Sequence, residues 1–253
     1  EVDGITIRFG NEEIRLVSND LAPLTAAHFT AADLLDLDHL PIISTAPAPP
    51  PPGAGDDTIE GTSEADVLNG FDGSDYISGM GGNDVLIGGL GSDTLLGGAG
   101  DDHFLLSSIT ADELDIVDGG EGTGDTADFL GFGAAIWASL DYAGVEVWTR
   151  DGIDAQSAGD YRAIADLSGV EHLTGGNYHD WLGGNAADNI LKGADGNDQI
   201  SGGAGNDLLD GGAGSDHMQG GTGNDRFVIW ESNAGDLDTI EDSGGDDTVD
   251  FSN

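Results

Sequence analysis

The 253-residue chain has no cysteine, so neither disulfides nor thiolate metal sites are open to it. Basic residues are scarce: 6 Lys plus Arg stand against 49 Asp plus Glu, a net charge of −43. That balance argues against nucleic acid and anionic membranes as partners. It also opposes compaction by self-repulsion, which leaves two options, disorder or a bound counter-cation. No apolar run approaches the roughly 18 residues of a membrane helix, so no membrane insertion is expected. Glu1 opens no secretory signal, and the chain reads as a piece of a longer one. Catalytic motifs are missing as well. There is no H-E-x-x-H for zinc proteolysis and no G-x-S-x-G nucleophile elbow, and the expectation is that the chain is not an enzyme.

Proline disappears after Pro52: all 7 lie before Gly53, five of them in Pro47 and Pro49 to Pro52. This stiff spacer, residues 45–54, separates a short N-terminal element, residues 1–44, from the rest. In GITIRFGNEEIRLVS, Ile5, Ile7 and Phe9, then Ile14 and Leu16, alternate around Gly10 and Asn11, the pattern of a β-hairpin. Thr30, Asp33 and the apolar Leu34, Leu35, Leu37 and Leu40 suggest a short capped helix.

Glycine, by contrast, is plentiful at 44 residues, and it recurs in phase with aspartate. From residue 55 to 105 an aspartate returns every nine residues: Asp57, Asp66, Asp75, Asp84, Asp93 and Asp102. Two places after each stands an apolar residue: Ile59, Leu68, Ile77, Leu86, Leu95 and Phe104. A second array, residues 175–228, carries Asp180, Asn189, Asp198, Asp207, Asp216 and Asp225, followed by Leu182, Leu191, Ile200, Leu209, Met218 and Phe227. Residues 106–174 and 229–253 form less regular β segments. They are related to each other, since Asp115 and Asp238 each lie 13 residues beyond the last array aspartate, Asp102 or Asp225.

The unit is G-G-x-G-x-D-x-U-x, with U apolar, the pattern of a calcium-binding β-helix repeat. Its last three positions suit a short strand with one inward side chain; its first six must reverse the chain. Glycine serves the reversal because it accepts positive φ and lets carbonyl oxygens crowd together. Two units make a coil, so turn n stacks on turn n+2 and the aspartates form two columns, Asp57, Asp75, Asp93 and Asp66, Asp84, Asp102. Carboxylate and carbonyl oxygens, with no nitrogen or sulfur, are the ligand set of Ca²⁺.

These motifs, GGNDVLIGGLGSDTLLGGAGDD from Gly81 and GADGNDQISGGAGNDLLDGGAGSDHMQGGTGND from Gly193, resemble the RTX, or hemolysin-type calcium-binding, repeats of proteins exported by Gram-negative bacteria through type I secretion. The resemblance implies an all-β fold, a right-handed parallel β-roll in two stacked arrays with an irregular β segment between them. It implies about four to eight Ca²⁺ ions held by the repeat aspartates and by carbonyls of stacked loops, here Gly73, Gly82, Gly88, Gly97, Gly196, Gly205, Gly211 and Gly220. The best pairs are Asp75 with Asp93, Asp84 with Asp102, Asp198 with Asp216, and Asp207 with Asp225; Asp57, Asp66 and Asp180 complete the candidates. Glu64 and Tyr178 replace the last loop glycine before Asp66 and Asp180, and Asn189 replaces the aspartate itself, so these turns are expected to bind weakly or to cap the roll. The family further implies a secreted or cell-surface location and folding on calcium outside the cell.

Residues 106–174 concentrate Trp137, Tyr142, Trp148, Arg150, Tyr161 and Arg162, and these aromatics are expected to form or cover core. Two rival roles remain open. One is an adhesin or surface-layer segment that touches a glycan or cell-surface partner through residues 106–174; the other is an accessory module of a polysaccharide-modifying enzyme.

Overall fold

The computed structural model describes residues 4–9, 12–17, 53–107, 113–142, 144–150, 152, 161–230 and 236–251. The chain divides into two units, Glu1–Pro51 and Pro52–Asn253. In the first, Gly4–Phe9 and Glu12–Val17 pair antiparallel, with Phe9 opposite Glu12 and Gly4 opposite Val17, which is the hairpin that the alternation specifies. The helix expected after Thr30 lies outside the described residues.

The second unit is built from two sheets of nine and eleven strands, and no described residue is helical. Successive nine-residue units alternate between the sheets, so like positions stack 18 residues apart. In one sheet Ile59 pairs with Ile77 and Ile77 with Leu95; in the other Leu68 pairs with Leu86 and Leu86 with Phe104. Strands are short because each presents one inward side chain, as in His103–Leu105, where only Phe104 is buried. Stacked on one another, the apolar residues of both arrays form one continuous core that runs from Ile59 to Phe227. Each contributes about 1.5–3 kcal/mol by leaving water.

The segment between the arrays continues this core with wider coils. In the nine-stranded sheet His103–Leu105, Thr126–Asp128, His172–Thr174 and Ile190–Lys192 remain parallel neighbours. In the eleven-stranded sheet Arg162–Ser168 pairs parallel with Asp115–Glu121, and Ile136–Ser139 pairs parallel with Trp181–Gly183. Between them Val147–Thr149 runs antiparallel to both neighbours. The insertion therefore adds a meander to one sheet while leaving the other in phase.

Of the aromatics in this segment, Phe129 and Phe132 are in the core, whereas Trp137 and Trp148 lie on the outer face of the sheet. Ile136 and Ala138 point inward, so Trp137 between them points out; Val147 and Thr149 do the same for Trp148. On the outer face Trp137 stacks on Trp181 with ring centroids 4.8 Å apart and 11° between planes, and Tyr142 meets Trp137 edge-on at 6.2 Å. Arg150 lies 3.8 Å above the Tyr161 ring.

Candidate metal centre

Each regular turn places its aspartate under the next coil. The backbone N–H of Asp66 donates to Oδ1 of Asp84 at 2.8 Å, and that of Asp84 donates to Oδ1 of Asp102 at 2.8 Å. The same link joins Asp57 to Asp75, Asp75 to Asp93, Asp180 to Asp198, Asn189 to Asp207, Asp198 to Asp216 and Asp207 to Asp225, all at 2.8–2.9 Å. One carboxylate oxygen is thus used to hold coils together. The other is not: Oδ2 of Asp75, Asp84, Asp93, Asp102, Asp198, Asp207, Asp216 and Asp225 has no hydrogen-bond partner. These side chains are only 1–3% exposed. A buried anionic oxygen without a partner is costly, and eight of them in register require a common explanation.

The surroundings of Oδ2 supply it. A β-carbon placed on Gly79 would lie 2.2 Å from Asp84 Oδ2 and 2.6 Å from the Gly97 carbonyl oxygen. Gly70 has Asp75 Oδ2 and the Gly88 carbonyl in the same places, Gly193 has Asp198 Oδ2 and the Gly211 carbonyl, and Gly202 has Asp207 Oδ2 and the Gly220 carbonyl. In these four turns the carboxylate oxygen therefore shares a small cradle with a carbonyl of the next coil, and only glycine leaves the cradle open. The carbonyls of Gly73, Gly82, Gly196 and Gly205 lie instead against Gly91, Gly100, Gly214 and Gly223, one coil on.

A backbone switch separates these eight turns from the four degenerate ones. In the turns that begin at Gly70, Gly79, Gly88, Gly97, Gly193, Gly202, Gly211 and Gly220, the second residue has positive φ, even where it is Phe71 (72°), Met80 (75°) or Ala194 (74°). Left-handed backbone is unfavourable for such side chains, so the turn imposes it. At the four degenerate turns the second residue is not left-handed, and its N–H donates into its own turn. Gly53 donates to Asp57 Oδ2 at 3.0 Å, Gly176 to Asp180 Oδ2 at 2.6 Å and Asn185 to Asn189 Oδ1 at 2.8 Å. Thr62 donates to Asp66 Oδ2 through both its N–H and its hydroxyl, at 2.7 and 2.8 Å. Asp57, Asp66 and Asp180, expected among the ligands, thus have the second oxygen satisfied within the turn, and the structure sets them apart from the eight.

Burial, ahead of the repulsion between neighbouring carboxylates, disfavours the charged forms. It pushes Asp93, Asp207 and Asp216 up to about 6 and Asp198 to about 9. Asp75, Asp84, Asp102 and Asp225 are also raised, burial again being the main cause. Backbone N–H donation opposes the shift without cancelling it. The arrangement is one in which a cation would relieve both the orphaned oxygen and the repulsion.

The family model for the RTX calcium-binding nonapeptide repeat (4 copies) matches residues 52–86, 78–106, 167–200, 174–209 and 192–227. Both arrays are RTX calcium-binding nonapeptide repeats. No curated protein matches the chain. RTX repeats bind Ca²⁺, and the residues present fit it: buried carboxylate oxygens and glycine carbonyls are hard oxygen donors, and the cradles between coils are open because glycine lines them. When bound, Ca²⁺ supplies positive charge and takes six to eight oxygen ligands.

The RTX columns also continue through residues that repeat counting passed over. Asp93 and Asp102 donate their N–H groups to Oδ1 of Asp115 at 3.0 Å and Asp125 at 2.7 Å. Asp216 and Asp225 donate likewise to Asp238 and Asp247, both at 3.0 Å. Asp125 is fully buried with an unpartnered Oδ2, and its own N–H donates to Glu171 at 3.2 Å. The signal for Asp115 and Asp238 was present in their common 13-residue offset; Asp125 and Asp247 open the matching stretches DTADF and DTVDF, 23 and 22 residues beyond Asp102 and Asp225.

Proposed function

We propose that this chain is a calcium-dependent folding module of an exported protein, in which Asp75, Asp84, Asp93, Asp102, Asp198, Asp207, Asp216 and Asp225 hold Ca²⁺ together with glycine carbonyls of the stacked coils. The observation that carries this reading is the register of eight buried carboxylate oxygens without partners. A net charge of −43 spread over a core one side chain wide gives the calcium-free chain little reason to compact. Extracellular calcium modules bind at about 10⁻⁴–10⁻³ M, so such a chain would stay unfolded where calcium is scarce and fold after export. Asp57, Asp66, Asp180 and Asn189 belong to turns that close on themselves, and these serve as caps and spacers.

Circular dichroism of the 253-residue chain during a CaCl₂ titration tests the reading, with MgCl₂ as control. Strand signal that appears cooperatively with calcium and not with magnesium is expected. A strand-rich spectrum in chelator that calcium leaves unchanged would refute it.

A second activity has a specific observation in its favour. Trp137, Tyr142, Trp148 and Tyr161 line an open groove of about 380 Å³ on the outer face of the eleven-stranded sheet. Exposed, rigid aromatic faces suit the apolar faces of sugar rings, which supports a glycan-binding surface in residues 106–174. Tryptophan fluorescence that responds to neutral oligosaccharides, and loses the response in Trp137→Ala, is the expected result.

A further inference from the structure

Among the differences between the two irregular segments, one puts a carboxylate where the other has a glycine. Asp242 follows Asp225 by 17 residues, and the residue 17 beyond Asp102 is Gly119. The links between coils are alike in the two segments: Asp115 and Asp125 receive the N–H groups of Asp93 and Asp102, as Asp238 and Asp247 receive those of Asp216 and Asp225, with spacings of 22 and 23 residues in the first and 22 and 22 in the second. A glycine in one copy is a carboxylate in the other, on the same edge of the roll.

That carboxylate reaches the turn below it. A β-carbon built on Gly220 would lie 2.4 Å from Asp225 Oδ2 and 2.7 Å from Asp242 Oδ1, so the two oxygens share the cradle that at Gly70, Gly79, Gly193 and Gly202 holds one carboxylate oxygen and one carbonyl. Oxygens of Asp225, Asp242 and Asp247 all lie within 4.8 Å of one another. Asp242 is held in place by N–H donation from Gly221 to Oδ1 at 3.2 Å and from Gly244 to Oδ2 at 2.7 Å. Asp225 is 1% exposed, and its Oδ2, aimed at this group, has no partner. The nearby Arg226 guanidinium is paired with Asp250. Asp242 and Asp247 are exposed, so an ion can enter from solvent.

We propose that Asp225, Asp242 and Asp247 form a three-carboxylate calcium site, of different composition from the turns of the nonapeptide repeat and tighter than they are. Affinity at oxygen-ligand sites rises with the number of charged ligands, and each regular turn brings one unpartnered carboxylate oxygen where this site gathers three carboxylates. The proposal rests on the calcium-binding reading above and adds a site with ligands outside the repeat.

Isothermal titration calorimetry of the 253-residue chain with CaCl₂, alongside Asp242→Gly and Asp242→Asn, tests it. Asp242→Gly restores the residue of the first copy, and Asp242→Asn keeps the side-chain volume. The expected result is that the tightest class of sites weakens at least ten-fold in both, while the remaining classes keep their affinities. A tightest class that is unchanged in either variant overturns the proposal while leaving the repeat sites standing; a parent chain that takes up no calcium overturns both readings. Should neither variant reach the strand spectrum of the parent in saturating calcium, an anomalous difference map from calcium-grown crystals of the parent decides: a peak among the three carboxylates is expected, and peaks confined to the repeat turns overturn the site.

Discussion

Asp84→Asn removes one negative charge and almost nothing else. Asparagine keeps the volume and can still accept the Asp66 N–H through Oδ1, a bond of 2.8 Å. What is lost is the anionic Oδ2, which is buried, has no partner and faces the Gly97 carbonyl across the cradle at Gly79. If one ion with a dissociation constant of about 10⁻⁴ M goes with it, the roll loses about 1.4 kcal/mol at 1 mM calcium, and about 1.4 kcal/mol more for each further tenfold rise in calcium. For a unit of this size that is roughly 3–6 °C in melting temperature at 1 mM. Thermal melts followed by circular dichroism between about 0.3 and 10 mM calcium measure it, with Asp66→Asn as the comparison. Asp66 Oδ2 already accepts two hydrogen bonds from Thr62, so Asp66→Asn should lower the melting temperature by an amount independent of calcium. Equal calcium dependence in the parent and in Asp84→Asn would refute the assignment of Oδ2 as a ligand.

Acidity acts on the same oxygens with opposite sign in the two states. Because burial raises Asp93, Asp207 and Asp216 to about 6 and Asp198 to about 9, the calcium-free fold binds protons that the unfolded chain releases. Its stability from these groups is full below about pH 4 and is lost as pH rises through 6 to 9. The chelated chain should therefore gain strand signal on acidification from pH 8 to pH 5, while the calcium midpoint rises over the same interval as protons compete; pH-independent spectra in chelator would contradict this.

Much of the roll was legible because its two controlling signals are local. The 18-residue stack follows from a nine-residue unit that alternates between sheets, and the inward column of Ile77, Leu86, Leu95 and Phe104 follows from the position two places after each aspartate. Asn189, Glu64 and Tyr178 marked three of the four turns that close on themselves; the turn of Asp57 was not so marked. The mechanism of that closure was hidden, since it depends on the φ of the second residue, and Met80 or Phe71 gives no hint of a left-handed backbone imposed by the neighbouring coils. Asp115 and Asp125 escaped the site assignment because their coils are longer, 22 and 23 residues from the partner below rather than 18. The outward face of Trp137 and Trp148 was equally hidden, because alternation in a strand shows that two faces differ and leaves open which one meets the core. The antiparallel Val147–Thr149 had no counterpart in the repeat from which its register could be inferred.

On the function proposed above, the coils are held in register at neutral pH only when calcium neutralises the orphaned carboxylate oxygens. Amide hydrogen exchange at Asp66, Asp75, Asp84, Asp198 and Asp207, whose N–H groups donate to the carboxylate of the next coil, reads that register directly. Strong protection in millimolar calcium that collapses to unfolded rates in chelator at pH 7.5 is the predicted result; protection that survives chelation would contradict it.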